Sequence, residues 1–210
     1  MRVRPVTFEA LVEEVTDDLI SREPDSWLRV GVDGAAATEP GRFADALVAP
    51  LRVRGRPAVR VDTGDFLRPA SLRLEFGRHN ADSFYAGWFD EDGLAREVLD
   101  PAGPDGSGRI LTRLWNAETD RATRDPYHDL APGTVVLVSG PLLLGGGLTF
   151  DFAVHLEMTP AALRRHTPPA ELWTLPAFER YRHEVAPAAF ADVVVRLDDP
   201  RRPARVLEPS

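Results

Sequence analysis

The sequence predicts an α/β fold, a central parallel sheet with helices on both faces. Apolar segments of strand length alternate along the chain with segments of helical spacing. The strand segments are near-continuous apolar runs, which marks strands covered on both sides. Three of the turns that follow strands, at 31–38, 63–66 and 139–144, fall at carboxyl ends, where such sheets bind ligands.

Each element follows from local pattern. Phe8, Leu11, Val12, Val15, Leu19 and Ile20 share one face of a helix over 7–21, with Thr7 as N-cap and Glu9 in the first turn. The run SWLRVGV is a buried strand entering a glycine turn. A second helix starts near Gly41, buries Phe43, Ala46 and Leu47, and is ended or kinked by Pro50. PAVRVDT (57–63) is a short strand. Helical spacing returns from Asp82 to Leu99, interrupted near Asp90. Two alternating runs around Asn116–Thr119 predict a hairpin. Segments 133–140 and 150–158 are strands, 159–166 and 170–188 are helical, and 191–197 is a last strand. The Pro- and Arg-rich end, 199–210, reads as a surface tail. The 210 residues need only one domain, 1–210.

Composition excludes several functions. A net charge of −8 argues against a nucleic-acid surface. The absence of cysteine removes disulfides, thiolate metal sites and cysteine nucleophiles. No apolar run approaches a membrane span and no signal peptide is visible, so no membrane partner and a cytoplasmic location are expected. All 25 basic residues are arginine, so any cation on a bound phosphate is an arginine or a metal ion.

The segment Gly31-Val-Asp33-Gly34-Ala35-Ala36-Ala37-Thr38 has the layout of a phosphate-binding loop, G-x-x-x-x-G-K-[ST]. Ala36 stands at the second glycine and Ala37 at the lysine, while Thr38 keeps the hydroxyl that holds Mg²⁺. Backbone N–H groups at a helix start attract anions whatever the side chains; the alternative is a strand-to-helix turn with no ligand. Asp65, at the next strand end, suits a general base for an attacking hydroxyl or a turn cap. Arg68 suits a phosphate or Glu75. Ser139 stands where an acid organising Mg²⁺ is usual. Arg164 and Arg165, with Arg180 and Arg182, suit a lid over phosphate or a solvated face. His155, in an apolar strand, reads as a satisfied core residue.

Taken in order, these pieces resemble the uridine kinase family of P-loop kinases, in its divergent high-GC bacterial branch. The carriers are RVGVDGAAAT after an amphipathic helix, GDFLRPASLRLEFG, the segment from Asn80 to Arg121, VVLVSGPLLL and ADVVVRLDDPRRP. The resemblance spans Phe8 to Pro203. It implies a P-loop three-layer sandwich, nucleoside-kinase-like, with a substrate-covering insertion of helix and hairpin over about 78–127. It implies a nucleoside triphosphate, ATP, with Mg²⁺ on residues 31–38, and Asp65 as base for the hydroxyl of a nucleoside or related small molecule. Asp82, Phe84 and Tyr85 would hold sugar and base under a hairpin bearing Arg109 and Trp115, with Arg68 beside them and Arg164 and Arg165 in the lid. It allows a homodimer. The departures, Ala36, Ala37 and Ser139, all lie on the ATP and Mg²⁺ side. Two functions follow: a phosphotransferase acting on a small hydroxyl-bearing acceptor, or a pseudo-kinase that binds a nucleotide or small ligand without transfer.

Overall fold

Strand β1 (Arg2–Pro5) leads into helix α1 (Phe8–Ile20) in the computed structural model, which describes residues 2–22 and 26–207. The Thr7 hydroxyl accepts the Ala10 N–H at 3.1 Å, and Leu11, Val12, Val15 and Leu19 are buried, as the spacing predicts. Strand β2 (Leu28–Gly34) is buried along its whole length. Helix α2 (Pro40–Val53) begins on a proline, where no donor is lost. It also runs three residues past Pro50, which was expected to end or kink it. Pro50 lies in the last turn, and its carbonyl still accepts the Arg54 N–H at 3.2 Å.

Strand β3 (Ala58–Asp62) is followed by a long excursion away from the main sheet. This holds helices α3 (Ala70–Arg73), α4 (Ala81–Gly87) and α5 (Glu91–Leu94), the last continuing as a π-helical stretch, Ala95–Leu99. The interruption expected near Asp90 is an N-cap, its carboxylate accepting the Gly93 N–H at 3.0 Å. Four two-residue strands follow: β4 (Arg109–Ile110), β5 (Trp115–Asn116), β6 (Arg121–Ala122) and β7 (His128–Asp129). The hairpin expected around Asn116–Thr119 is the β5–β6 pair, its turn closed by Asn116 Oδ1 on the N–H groups of Glu118 and Thr119.

The chain returns to the main sheet as β8 (Val135–Gly140) and β9 (Phe152–Glu157), then α6 (Pro160–His166) and α7 (Leu175–Glu184), then β10 (Val193–Arg196) and β11 (Ala204–Leu207). Strand β11 corrects the expectation of a surface tail over 199–210. It pairs antiparallel with both β1 and β10. Its Arg205 looks solvated in sequence, yet its guanidinium bonds Glu14 at 3.1 Å and Asp18 at 3.2 Å on α1. Residues 208–210 of that segment lie outside the described residues.

The seven-stranded sheet runs β1-β11-β10-β9-β2-β8-β3, and its five strands from β10 to β3 are mutually parallel. After β2 the chain goes to one edge, making β3 and β8; afterwards it builds β9 and β10 on the other side. The order therefore reverses at β2, and a crevice opens beyond that strand's carboxyl end. Two apolar cores make the three layers. One packs α1 and α2 on one face through Leu11, Val15, Leu19, Phe43, Leu47 and Leu51. The other packs that excursion and Tyr181 on the opposite face through Phe66, Leu94, Val98, Leu99 and Ile110.

One ion pair ties the starts of β2 and β9. Arg29 donates to Asp151 from Nε at 2.9 Å and Nη2 at 2.7 Å, and its backbone N–H donates at 2.9 Å. Burial pushes the Asp151 carboxyl up, but these three donors outweigh it and hold it below the usual range. A depressed carboxyl stabilises the fold fully above its unfolded value, ~4, and loses that contribution as pH falls through the folded value. Asp151→Asn is therefore expected to lower stability by about 2 kcal/mol at pH 7. Urea unfolding across pH should show the gap to wild type closing below pH ~4.

Candidate functional site

The loop beyond β2 is built from small residues. The strand continues through Gly34, so Gly31 and Asp33 are strand residues, not the start of a cradle. Gly31 lies against the ring of Phe150, where an added Cβ would be 3.0 Å away. Gly34 is needed for close packing, since a Cβ there would lie 2.3 Å from Thr38 Oγ1 and 2.9 Å from the Leu156 carbonyl. The turn itself is Ala35, a 3₁₀ turn Ala36–Thr38, and Glu39 in the left-handed region at φ 54°. The phosphate-loop spacing thus begins three residues later than the sequence pattern suggested. Placed on Gly34–Gly41, it sets Glu39 at the second glycine, Pro40 at the lysine and Gly41 at the hydroxyl residue.

This loop spends its donors on itself. The N–H groups of Thr38 and Glu39 donate to the carbonyls of Ala35 (2.8 Å) and Ala36 (3.0 Å). The Thr38 hydroxyl, expected on Mg²⁺, is buried and donates to the Ala35 carbonyl at 2.7 Å. Pro40 has no N–H. Glu39 adds a negative charge at the start of α2 and pairs with Arg42 at 2.8 Å. Arg42 lies over the Phe8 ring, 4.7 Å from its centroid, on the α1 side.

A side chain that the sequence reading passed over fills the next position. Arg60 of β3 donates from Nη2 to Asp62 at 2.5 Å and to the Ser139 hydroxyl at 3.0 Å; its Nε lies 3.2 Å from Asp45. The same Nη2 would be 2.4 Å from a Cβ on Gly41. In P-loop NTPases a divalent cation is held between the hydroxyl residue at the helix start and an acid on the neighbouring strand. In this chain the Arg60 guanidinium stands between Gly41, at the start of α2, and Ser139, near the end of β8. The residues present do not fit Mg²⁺. Among the described residues no three His, Asp or Glu side chains are grouped to hold a metal ion.

On the other side of β2 lies a cavity of about 530 Å³ between the loop, the end of β9, α6 and α7. His155 lines its floor, with Asp33 buried behind it. Asp33 is fully buried; its Oδ1 accepts the Leu143 N–H at 2.9 Å, and its Oδ2 lies 2.7 Å from His155 Nδ1 and 3.3 Å from the Tyr181 hydroxyl. The Tyr181 hydroxyl also accepts the Leu144 N–H at 2.8 Å, and burial with Asp33 nearby pushes its pKa far up. His155 is satisfied on Nδ1, as expected of a core histidine, yet it also lines the cavity. Thr38 and Arg164 line it as well.

The other expected site residues are dispersed. Asp65 ends a 3₁₀ turn after β3 and accepts from Arg113 Nε at 2.8 Å. Burial raises its carboxyl above the usual range, and Arg113 opposes only part of that rise. Arg68 and Asp82 border a separate open groove with Phe76 and Asn80. Phe84 sits in an aromatic cluster with Trp88, Phe89, Trp173 and Phe178, which ties α4 to α7. Tyr85 donates to Glu184 at 3.2 Å, and the guanidinium of Arg180 lies over its ring. Trp115 donates to Asp120 within the hairpin, and Arg109 lies over Tyr127. Arg165 turns to the Asp198 carbonyl, away from Arg164. Of the substrate-side set, then, Arg68 and Asp82 share a depression, and Asp65 borders neither it nor the cavity.

Strand order, switch point and strand-to-helix loop define a three-layer α/β fold with a parallel central sheet. The chain is similar to a possible uridine kinase from Bacillus stearothermophilus, with a TM-score of 0.71 and 18% identity over 87% of this chain and 96% of that one. It is also similar to a candidate fructose transport system kinase from Silicibacter sp. TM1040, with a TM-score of 0.56 and 21% identity over 88% and 93%. A third solved structure, the YGR205w protein, matches at a TM-score of 0.59 and 8% identity over 97% and 100%. The fold is therefore uridine kinase-like, as the sequence resemblance implied. No protein-family model and no curated protein matches the chain. No described helix is long and apolar enough to cross a membrane.

Proposed function

We propose that this chain is a uridine kinase-like scaffold that binds a small molecule without transferring phosphate to it from a Mg²⁺–nucleoside triphosphate. The observation that carries this reading is the Arg60 guanidinium, lodged among Asp62, Ser139 and Gly41 where the metal of a working kinase is bound. The loop supports it, because Glu39 and Pro40 replace a glycine and a cation with a negative charge and a residue lacking a donor. The cavity at the switch point supports the binding half, being of ligand size and lying where such sheets take ligands.

Asp65, with its raised carboxyl, is the group through which any remaining transfer to a hydroxyl would run. Release of ADP from Mg·ATP, measured across a panel of nucleosides, is therefore expected to stay at background and to be the same in wild type and Asp65→Asn. Acceptor-dependent release that Asp65→Asn abolishes would overturn the reading and establish a phosphotransferase.

A further inference from the structure

The cavity over β9 has a chemistry of its own. Much of its wall is apolar, with Leu156, Met158, Leu163, Leu175 and Phe178 among the lining residues. Protein interiors pack at crystal density, so an opening of about 530 Å³ between two helices is a built feature rather than slack.

Its polar groups are few, and most are already matched. A fully buried carboxylate needs donors, and Asp33 obtains them from Leu143, His155 and Tyr181. His155 spends Nδ1 on Asp33, which leaves Nε2 as the ring nitrogen free for a ligand. Glu157 is paired with Arg196 at 3.1 Å, and Arg182 lies 3.8 Å from Glu179. Arg164, in contrast, has no carboxylate partner among the described residues and brings a positive charge to the rim. Two backbone donors of the adjoining loop, those of Thr38 and Glu39, are turned into the loop.

We infer that this cavity takes an amphipathic monoanion of the carboxylate type: charge on Arg164, apolar body between α6 and α7, and a hydroxyl on His155 Nε2. The inference rests on the small-molecule-binding reading of the scaffold and specifies its ligand. It does not depend on the outcome at Arg60.

The probes are 8-anilinonaphthalene-1-sulfonate (ANS), an apolar aromatic anion with an N–H donor, and decanoate with 10-hydroxydecanoate as competitors. The full chain is expected to enhance ANS emission saturably at one site. Decanoate should displace the dye and adenosine monophosphate should not. Arg164→Ala should weaken ANS binding about tenfold, the loss of one charged contact. Leu163→Trp, which fills the cavity without touching the Asp33–His155 pair, should abolish binding while circular dichroism stays unchanged. The terminal hydroxyl should make 10-hydroxydecanoate bind about tenfold tighter than decanoate, an advantage lost in His155→Phe.

No saturable enhancement, or enhancement indifferent to both Arg164→Ala and Leu163→Trp, overturns the inference. Displacement by adenosine monophosphate but not by decanoate overturns it too, in favour of a nucleotide. Failure here with no ADP release in the kinase assay refutes the ligand class alone, whereas acceptor-dependent ADP release refutes the scaffold reading whatever the dye does.

Discussion

Replacing Asp33 by Ala is expected to cost about 3–5 kcal/mol of stability, the range for breaking a buried charged or hydrogen-bonded pair. In a domain of this size that corresponds to a fall in Tm on the order of 10 °C. The residue is fully buried and joins four parts of the fold: β2, the segment after β8 through Leu143, β9 through His155 and α7 through Tyr181. Without it, the Leu143 N–H and the His155 Nδ1–H are left in the interior with no acceptor. His155→Phe removes one of these partners and should cost less. The double variant should fall short of the sum of the two, because both act on one network. Thermal unfolding of the three variants checks this. Losses below 1 kcal/mol that simply add would mean that Asp33 is not the hub described.

The layers of this fold were legible because apolar period carries them. Strands β2, β8 and β9 are near-continuous runs, and α1 keeps a clean helical stripe, so element type and order followed directly. Strand β11 was hidden because its Arg205 satisfies α1 carboxylates instead of solvent. The site was less legible for a related reason. The phosphate-loop frame was set on the first glycine, but glycine in Gly31 serves close packing against Phe150 within a strand, and a strand's carboxyl end is a tertiary fact. Arg60 did leave a trace: an arginine inside the alternating run Ala58–Asp62 is out of place unless its charge is answered. Which acids answer it, and that it reaches Gly41 and Ser139, depends on strands 79 residues apart in sequence. His155 showed itself as a core histidine, but its pairing with Asp33 required β2 and β9 to be neighbours.

Removing that arginine has the second large consequence. Arg60→Ala leaves Asp62, Asp45 and the Ser139 hydroxyl without the cation that they now surround. Two carboxylates left without that cation repel each other, and the half-exposed setting makes the loss modest, about 1–2 kcal/mol. The larger effect is a gain. Two carboxylates and a hydroxyl facing one gap are expected to admit a hard divalent cation weakly, with an affinity on the order of 10⁻³ M. Added Mn²⁺ should then restore stability to the variant by mass action and leave wild type unchanged.

The spin-resonance signal of Mn²⁺ without nucleotide, titrated with wild type and with Arg60→Ala, is the most direct test that a guanidinium has taken the place of the kinase metal. The wild-type chain is predicted to leave the signal untouched, while Arg60→Ala attenuates it as the ion binds. Attenuation by stoichiometric wild-type protein would contradict this account and return the chain to the working kinases.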